Sequence, residues 1–197
     1  MFEILLSSNN AHKLHEYRCM LEPFGIKVLS LKDKGIVDDA DENGSTYFEN
    51  SLIKAKSVGR FTDMPIIADD SGLEVVALGN FPGLHTARFA KDCGGNEFAN
   101  PEIIKRLEKY DDKSANFMCV ITLLNVDKEP VQFLGVCPGI ILDKVYGEGG
   151  FGYDPIFFSN EANIAFGLAS EEIKNRFSHR AKAAQQLVKY LQDIKRI

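Results

Sequence analysis

Short apolar runs alternate with stretches of helical period along this chain, and this alternation is the feature that most constrains its fold. Residues 4–6 form an apolar run of strand length, and Leu14, Tyr17 and Leu21 then share one face of a predicted helix. Strand-length runs that alternate with helices are typical of α/β proteins rather than helix bundles or β-sandwiches. The sequence therefore predicts an α/β fold.

The middle of the chain predicts a mixed sheet. β-rich runs at 115–125 and 131–137 flank a turn at 127–130, which is the pattern of an antiparallel hairpin. Before them, Asn100-Pro101 has the form of an N-cap followed by proline at the first helical position. We expect a helix from there to about Tyr110.

Charge and composition exclude several classes of protein. The 197 residues include 23 basic and 28 acidic side chains, and the net charge of −5 argues against an electrostatic nucleic-acid partner. No apolar run approaches the roughly 18 residues of a membrane span, and the start of the chain lacks the features of a signal peptide. We therefore expect a cytoplasmic protein without a membrane partner, whose scattered cysteines are free thiols.

The first candidate site is the turn between the first strand and the first helix. Backbone N–H groups at the start of a helix favour a phosphate, and Lys13 would add a full positive charge. The turn lacks the glycines of a Walker loop, so an asparagine-rich turn with a solvated lysine remains the simpler alternative for this segment alone. The candidate phosphate-binding residues are Ser8, Asn9, Asn10, Ala11, His12 and Lys13.

Adjacent carboxylates at Asp69 and Asp70 follow a buried apolar run, where we expect the strand to break. Two such charges need a cation or hydrogen-bond donors, and successive strand side chains point to opposite faces. Carboxylate oxygens suit Mg²⁺, and Glu42 in the acidic loop 38–42 is a candidate second ligand. The alternative is that the two acids cap a turn before Gly72.

Three further groups could contact a ligand. Lys54 projects from a helix predicted to begin at Thr46, although alone it resembles a surface lysine. The segment 149–154 joins glycines to aromatic rings and a carboxylate, which suits stacking on a flat ring or, alternatively, a glycine-rich turn with core aromatics. Basic side chains also open or precede the last helix, which is unfavourable for the helix dipole unless an anion or acceptor offsets it. They are Lys174, His179 and Arg180.

Lysines for phosphates, carboxylates for Mg²⁺, a stacking loop and donors for a base edge together match a nucleoside triphosphate. Several motifs occur in order over nearly the whole chain: S-x-N-x-x-K-x-x-E from Ser8, E-x-G-x-T-x-x-E-N from Glu42, A-D-D-S-G-L from Ala68, G-G-F-G-Y-D-P from Gly149 and S-H-R from Ser178. On these motifs the sequence resembles the inosine/xanthosine triphosphate pyrophosphatase family, the Ham1-type nucleotide hydrolases.

The resemblance implies an elongated α/β fold with a long central mixed sheet flanked by helices. Residues 1–197 would form a single domain with two lobes around a nucleotide-binding cleft, and the protein would be a homodimer. It also implies a Mg²⁺-dependent reaction that splits ITP, dITP or XTP into the monophosphate and pyrophosphate and so removes these nucleotides from the pool.

Carried over by motif, Ser8 to Lys13 and Lys54 would hold the phosphates, and Glu42 and Asp70 the Mg²⁺. Asp70 would also accept a proton, and Ser71 would touch the substrate. The residues implied for the nucleobase pocket are Phe151, Gly152, Tyr153, Asp154, Lys174, His179 and Arg180. An additional Ile173 relative to the family pattern leaves the register of Lys174 open.

Two rival functions fit parts of this pattern. Maf-like pyrophosphatases share the chemistry, but the S-H-R segment and the G-F-G-Y-D loop argue against them. A nucleotide-binding module without turnover is the other rival. The combination of Asp70, Glu42, Lys13 and Lys54 argues against it, because a module that only binds has little use for a water-activating carboxylate.

Overall fold

The computed structural model describes residues 1–38, 40–147 and 149–197, so Asp39 of the acidic loop and Glu148 of the glycine cluster lie outside the described residues. The strands are β1 (Phe2–Leu6), β2 (Ile26–Leu29), β3 (Ile66–Val75), β4 (Phe81–Pro82), β5 (Ser114–Leu124), β6 (Val131–Ile141), β7 (Phe157–Ser159) and β8 (Ile164–Ala165). The helices are α1 (Ala11–Leu21), α2 (Tyr47–Val58), α3 (Thr86–Asp92), α4 (Asn96–Leu107), α5 (Glu171–Phe177) and α6 (His179–Asp193).

The strands of the described chain form one mixed, eight-stranded sheet. Its order is β2-β1-β3-β5-β6-β7-β8, with β4 paired to β3. β1 runs parallel to β2 and to β3, where Leu5 lies opposite Ile66, whereas β6, β7 and β8 pair antiparallel. The expected α/β class and the mixed sheet flanked by helices are confirmed.

Residue contacts divide the chain into two compact units. Unit 1 comprises Met1–Asp70, Cys119–Gly135 and Arg180–Ile197. Unit 2 comprises Ser71–Met118 and Val136–His179. The long strands β3, β5 and β6 therefore contribute residues to both units.

In unit 1 the sheet is buried on both faces. Ile4 and Leu6 of β1 belong to a core with α1 and α6, whereas Leu5 between them packs in a second core with Ala55 and Val58 of α2. Strands covered on both faces are apolar throughout instead of alternating, because every side chain meets a hydrophobic neighbour. The apolar run 4–6 follows from this arrangement.

Unit 2 has its own aromatic core. Ala99, Ile103 and Leu107 recur at intervals of four along α4 and are buried with Phe117 and Phe157. The expected helix start at Asn100-Pro101 is wrong, because α4 begins at Asn96 after Gly95 and carries Pro101 inside. Burial of this stripe outweighs the one backbone hydrogen bond that the proline removes.

The strand break expected at Asp69 and Asp70 is also wrong. β3 continues from Ile66 through both aspartates to Val75. Because successive side chains of a strand point to opposite faces, the two adjacent carboxylates lie on opposite sides of β3. The hairpin strands β5 and β6 are neighbours in the sheet, and β6 extends past its expected end to Ile141.

Within the described ranges, no helix combines the length and the apolar character that a membrane crossing requires.

Candidate functional site

The turn between β1 and α1 is ordered by its own side chains. Asn10 is the N-cap of α1, and its Oδ1 accepts hydrogen bonds from the backbone N–H groups of His12 (2.9 Å) and Lys13 (3.2 Å). Ser8 Oγ accepts from the N–H of Asn10 at 3.1 Å, and Asn9 Nδ2 donates to the carbonyl of Asp38 at 3.1 Å. The expectation of free backbone amides is therefore wrong for His12 and Lys13, which Asn10 caps.

The side chain of Lys13 forms part of a buried charge cluster around Asp69. Lys13 Nζ donates to Asp69 Oδ1 at 2.9 Å, and Arg180 donates to Asp69 Oδ2 through Nε at 3.2 Å and through its terminal nitrogen at 3.1 Å. Arg180 also pairs with Glu16. We call these four residues the Asp69 cluster, in which two cations balance two carboxylates.

Asp69 is ionised despite its burial. The side chains of Asp69 and Arg180 are 0% and 5% exposed. Burial alone raises the pKa of Asp69, but Lys13, Arg180 and Lys54 outweigh that effect and hold the pKa well below its usual range. Cys119 lies 3.8 Å from Asp69, and burial beside that carboxylate raises the pKa of its thiol to about 12. Cys119 is therefore an inert thiol, as the scattered cysteines predict.

The next residue of β3, Asp70, has different partners. Lys54 Nζ donates to Asp70 Oδ1 at 2.9 Å and to Glu42 Oε2 at 2.9 Å, and Asn50 Nδ2 donates to Asp70 Oδ2 at 3.3 Å. We call Glu42, Lys54 and Asp70 the Asp70 cluster. It holds two carboxylates and one cation, so it keeps an excess negative charge that the Asp69 cluster lacks.

Burial and neighbouring charges shift the pKa values of Asp70 and Lys54. Burial raises the pKa of Asp70, with Lys54 opposing and Glu42 adding to the rise. For Lys54, burial lowers the pKa, but the carboxylates of Asp70, Asp69 and Glu42 outweigh it and raise the pKa. Lys54 is thus an ammonium group fixed by its carboxylate partners. Its side chain is 13% exposed, so it is not the solvated surface lysine that its sequence context alone suggests.

The donor set of the Asp70 cluster fits a Mg²⁺ ion. One ammonium nitrogen reaches an oxygen of both Glu42 and Asp70, which shows that a single cation can contact both carboxylates. Mg²⁺ takes one or two carboxylates and completes its coordination with waters and substrate phosphates. Glu42 is 45% exposed, which leaves room for such additional ligands.

Asn50, which the sequence analysis left without a role, positions this cluster. It lies on α2, four residues before Lys54, and donates to Asp70 while its Oδ1 accepts the N–H of Gly44 at 2.8 Å. A Cβ at Gly44 would lie 2.7 Å from that Oδ1, so the close approach requires glycine. One buried amide therefore fixes Asp70 and the loop that carries Glu42. The E-N pair in the quoted motif was the available signal.

In unit 2 the segment 150–154 folds around Asp154. The Asp154 carboxylate accepts from the N–H of Phe151 at 2.6 Å and from Lys174 Nζ at 2.7 Å. Lys174 lies on α5 and forms an ion pair with Asp154. The structure thus brings together Phe151, Gly152, Asp154 and Lys174.

Asn100 ties that loop to α4. Its Nδ2 donates to the carbonyl of Gly152 at 3.2 Å, and the side chain is buried. Asn100 therefore holds the loop from the middle of the helix and is not the N-cap that its proline neighbour suggests. Tyr153 is also buried and donates to the carbonyl of Thr86 at 3.0 Å, so this ring belongs to the core.

The remaining predicted residues have separate surroundings. His179 is buried and stacks on Phe117 with ring centres 4.8 Å apart, whereas the neighbouring Arg180 pairs with Asp69 and Glu16. These two carboxylates offset the cost of a basic residue at the start of α6, as the dipole argument requires. Ser71 is partly exposed on β3, and Ala11 and His12 are exposed.

Comparison with known proteins places these features in one family. A family model described as the Ham1 family matches residues 4–190. A dITP/XTP pyrophosphatase of Clostridium perfringens is 38% identical over 202 aligned positions, which cover 98% of this chain and 99% of that protein. One of Nitrosomonas europaea is 40% identical over 195 positions, covering 98% and 96%.

Solved structures agree with the sequence comparison. The Staphylococcus aureus Ham1 protein superposes with a TM-score of 0.86 at 34% identity, covering 97% of this chain and 98% of that chain. A HAM1 protein from Coxiella burnetii gives a TM-score of 0.85 at 36% identity, covering 98% and 100%.

We expect Asp69→Asn to lower the free energy of unfolding by about 3–5 kcal/mol at pH 7, because it leaves Arg180 and Lys13 without their shared buried anion. The pKa of Asp69 is depressed in the folded state, so its contribution is complete above the ordinary value of 3.8 and is lost as the pH falls below it. Urea denaturation from pH 7 to pH 3 should show the difference between the two proteins shrinking with acidification. Glu102→Gln, which breaks an exposed pair with Arg106, should leave stability nearly unchanged. A difference that grows at low pH would contradict the ionised state of Asp69.

We expect Gly150→Ala to destabilise the protein more than Gly152→Ala. Both glycines have positive φ, at +83° and +67°, so either alanine costs about 1–2 kcal/mol of backbone strain. Only at Gly150 would the new Cβ also lie 2.5 Å from Asp154 Oδ2, whereas nothing lies within 4 Å at Gly152. Urea denaturation of both variants measures the difference. Equal losses would show that the Asp154 loop can shift at no cost.

Proposed function

The chain belongs to the Ham1 family, and from that premise we propose that it is a nucleoside-triphosphate pyrophosphatase that hydrolyses ITP, dITP and XTP to the monophosphate and pyrophosphate. The observation that carries this proposal is the Asp70 cluster, in which a buried carboxylate, a lysine and a second carboxylate meet at hydrogen-bond distance. Relatives that are at least 38% identical over nearly the whole chain bear the name dITP/XTP pyrophosphatase. In the cell this activity would remove non-canonical purine nucleotides from the nucleotide pool.

In this proposal the phosphates are bound by Lys13, by Lys54 and by the turn from Ser8 to His12. Two ammonium groups offset the negative charge of a triphosphate and stabilise the charge that develops on departing pyrophosphate. The side chain of Lys13 is 15% exposed, so its ammonium group can contact a phosphate while it remains paired with Asp69. The capped helix start adds the positive end of its dipole.

Glu42 and Asp70 would hold Mg²⁺. When bound there, the metal would polarise the phosphoryl oxygens and neutralise part of their charge. Asn50 supports this role because it fixes both the strand residue Asp70 and the loop of Glu42 before any cation binds. The two ligands therefore need little rearrangement.

Asp70 would act as the proton acceptor. Lys54 and Asn50 donate to its two oxygens and so orient the carboxylate for taking a proton from a water molecule. A water molecule gives its proton to Asp70 as its oxygen bonds to the α-phosphorus. The bond from that phosphorus to the bridging oxygen then breaks, and pyrophosphate leaves with the electron pair. The step needs no covalent intermediate.

We assign recognition of the base to Phe151, Gly152, Asp154, Lys174, His179 and Arg180, with Tyr153 supporting the loop from the core and Ser71 as a further substrate contact. Phe151 is 40% exposed, which suits stacking on a purine ring. Donors that meet a 6-oxo group would be left unpaired by the 6-amino group of adenine, and this mismatch gives strong discrimination. Arg180 already donates to the carboxylates of Asp69 and Glu16, so any hydrogen bond from it to the base would come from N–H groups that also serve these carboxylates.

We further propose that the enzyme is cytoplasmic and that, as the family resemblance implies, it is a homodimer. Size-exclusion chromatography with light scattering measures the state of assembly directly. A mass near twice 21.9 kDa supports the dimer, and a mass near 21.9 kDa overturns it.

The substrate proposal predicts that pyrophosphate is released from ITP and XTP far faster than from ATP and GTP, and that chelation of Mg²⁺ stops release. The four nucleotides should be assayed at one enzyme concentration, with Mg²⁺ and with chelator, by coupled detection of pyrophosphate. Release of single phosphate would instead indicate a different phosphohydrolase. Tight binding without turnover would indicate a binding module.

The mechanism predicts that Asp70→Asn abolishes nearly all pyrophosphate release, because an amide cannot accept the proton. The loss should fall on kcat rather than on folding, since the amide oxygen can still accept from Lys54 Nζ at the Oδ1 position, and only the longer hydrogen bond from Asn50 is lost. Asp63→Asn, the same change at an exposed aspartate seven residues earlier, serves as the matched control. Full activity of the Asp70 variant would remove this residue from the mechanism.

A further inference from the structure

Lys54 occupies the position between the two carboxylates proposed as metal ligands. Its ammonium nitrogen lies 2.9 Å from Glu42 Oε2 and 2.9 Å from Asp70 Oδ1, so it donates to both acids at once. It is 13% exposed and therefore shielded from competing water. An ammonium group at this distance from two carboxylates offsets half of the negative charge that would otherwise attract a divalent cation.

A divalent cation cannot bind Glu42 Oε2 and Asp70 Oδ1 together while the ammonium group of Lys54 contacts both of these oxygens. Mg²⁺ binds oxygen ligands at about 2.0–2.1 Å, well inside the hydrogen-bond distance that Lys54 keeps to the same groups. A metal on these two oxygens would also be repelled by the positive charge of Lys54. The lysine therefore has to leave them before a metal can bind them.

Only the side chain of Lys54 needs to move. Its backbone lies in α2, and its carbonyl accepts a hydrogen bond from Ser7 Oγ at 3.0 Å. The flexible four-carbon stem allows the ammonium group to swing without moving the helix. A displaced ammonium group needs another anion, and the phosphates of a triphosphate provide one.

We propose that Lys54 acts as a resident cation that excludes free divalent metal, so that the enzyme takes its metal together with the triphosphate. The substrate is then the metal–nucleotide complex, and the nucleotide-free protein binds metal weakly. The inference rests on the proposed function for the identity of the nucleotide. The exclusion of metal by Lys54 depends only on the Asp70 cluster.

The test measures Mn²⁺ binding to the full chain without nucleotide, by electron paramagnetic resonance of the free ion. Lys54→Met should bind Mn²⁺ at least about tenfold more tightly than the unmodified protein, because it removes a cation in direct contact with both ligands. Lys56→Met removes the same charge from an exposed position on the same helix and should change the affinity much less. In the double variant Glu42→Gln/Lys54→Met the gain should disappear, which assigns it to this pair of carboxylates.

Several results would overturn the inference. Equal Mn²⁺ affinity in Lys54→Met and the unmodified protein would show that the lysine does not exclude metal. A similar gain in Mn²⁺ affinity for Lys56→Met would show that the gain comes from the change in net charge alone. A gain that persists without the Glu42 carboxylate would show that the metal binds elsewhere. If the methionine variant does not fold, Lys54→Gln carries the same expectations.

A thermal-unfolding experiment separates this inference from the proposed function. Mg²⁺ alone should leave the Tm of the unmodified protein unchanged, and Mg²⁺ with the α,β-methylene analogue of ITP should raise it, because ligands that bind only the folded state stabilise it. For Lys54→Met, Mg²⁺ alone should raise the Tm. A rise with Mg²⁺ alone in the unmodified protein overturns the exclusion of metal. If the analogue with Mg²⁺ gives no rise, the nucleotide assignment fails, while the Mn²⁺ titrations still decide the role of Lys54.

Discussion

The buried carboxylate of Asp69 is the interaction on which unit 1 depends. It joins Lys13 of α1, Arg180 of α6 and β3 at one fully buried point, and Glu16 completes the charge balance. A buried charge is costly unless it is paired and hydrogen-bonded, so each of these side chains constrains the others. One strand residue therefore ties the first turns of both helices to β3, and it fixes the ammonium group of Lys13.

Much of the fold was predictable because it follows from local rules. The alternation of strands and helices, the helix start at Thr46 and the mixed sheet depend on short-range patterns, which the sequence displays directly. The start of α4 failed for the opposite reason. There Asn100 and Pro101 give a local signal for a helix start, but burial of Ala99 and Ile103 extends the helix backwards past it. Tertiary packing overrode local preference at that point.

The resemblance supplied the candidate site residues, but the sequence did not indicate which contacts they make. The resemblance names Lys13, Lys54, Asp70 and Arg180, but the partner of Arg180 lies 111 residues away, and no spacing rule indicates such a contact. Asn50 and Asn100 were missed as positioning residues for a related reason. An amide in a helix gives no sign of which distant backbone or carboxylate group it will meet. The family assignment thus follows from the sequence, whereas the charge pairs within the site are visible only in the structure.

Asp69 and Asp70 show how one step along a strand separates two functions. The alternation of side chains sends the first carboxylate to cations that satisfy it completely, and the second to a cluster that retains excess negative charge. A satisfied carboxylate has a depressed pKa and cannot accept a proton at neutral pH, whereas its neighbour has a raised one. Two chemically identical residues therefore become a structural anchor and a candidate base solely through the faces on which they lie. An insertion or deletion of one residue before them in β3 would move each carboxylate to the opposite face, so their different environments depend on the register of the strand.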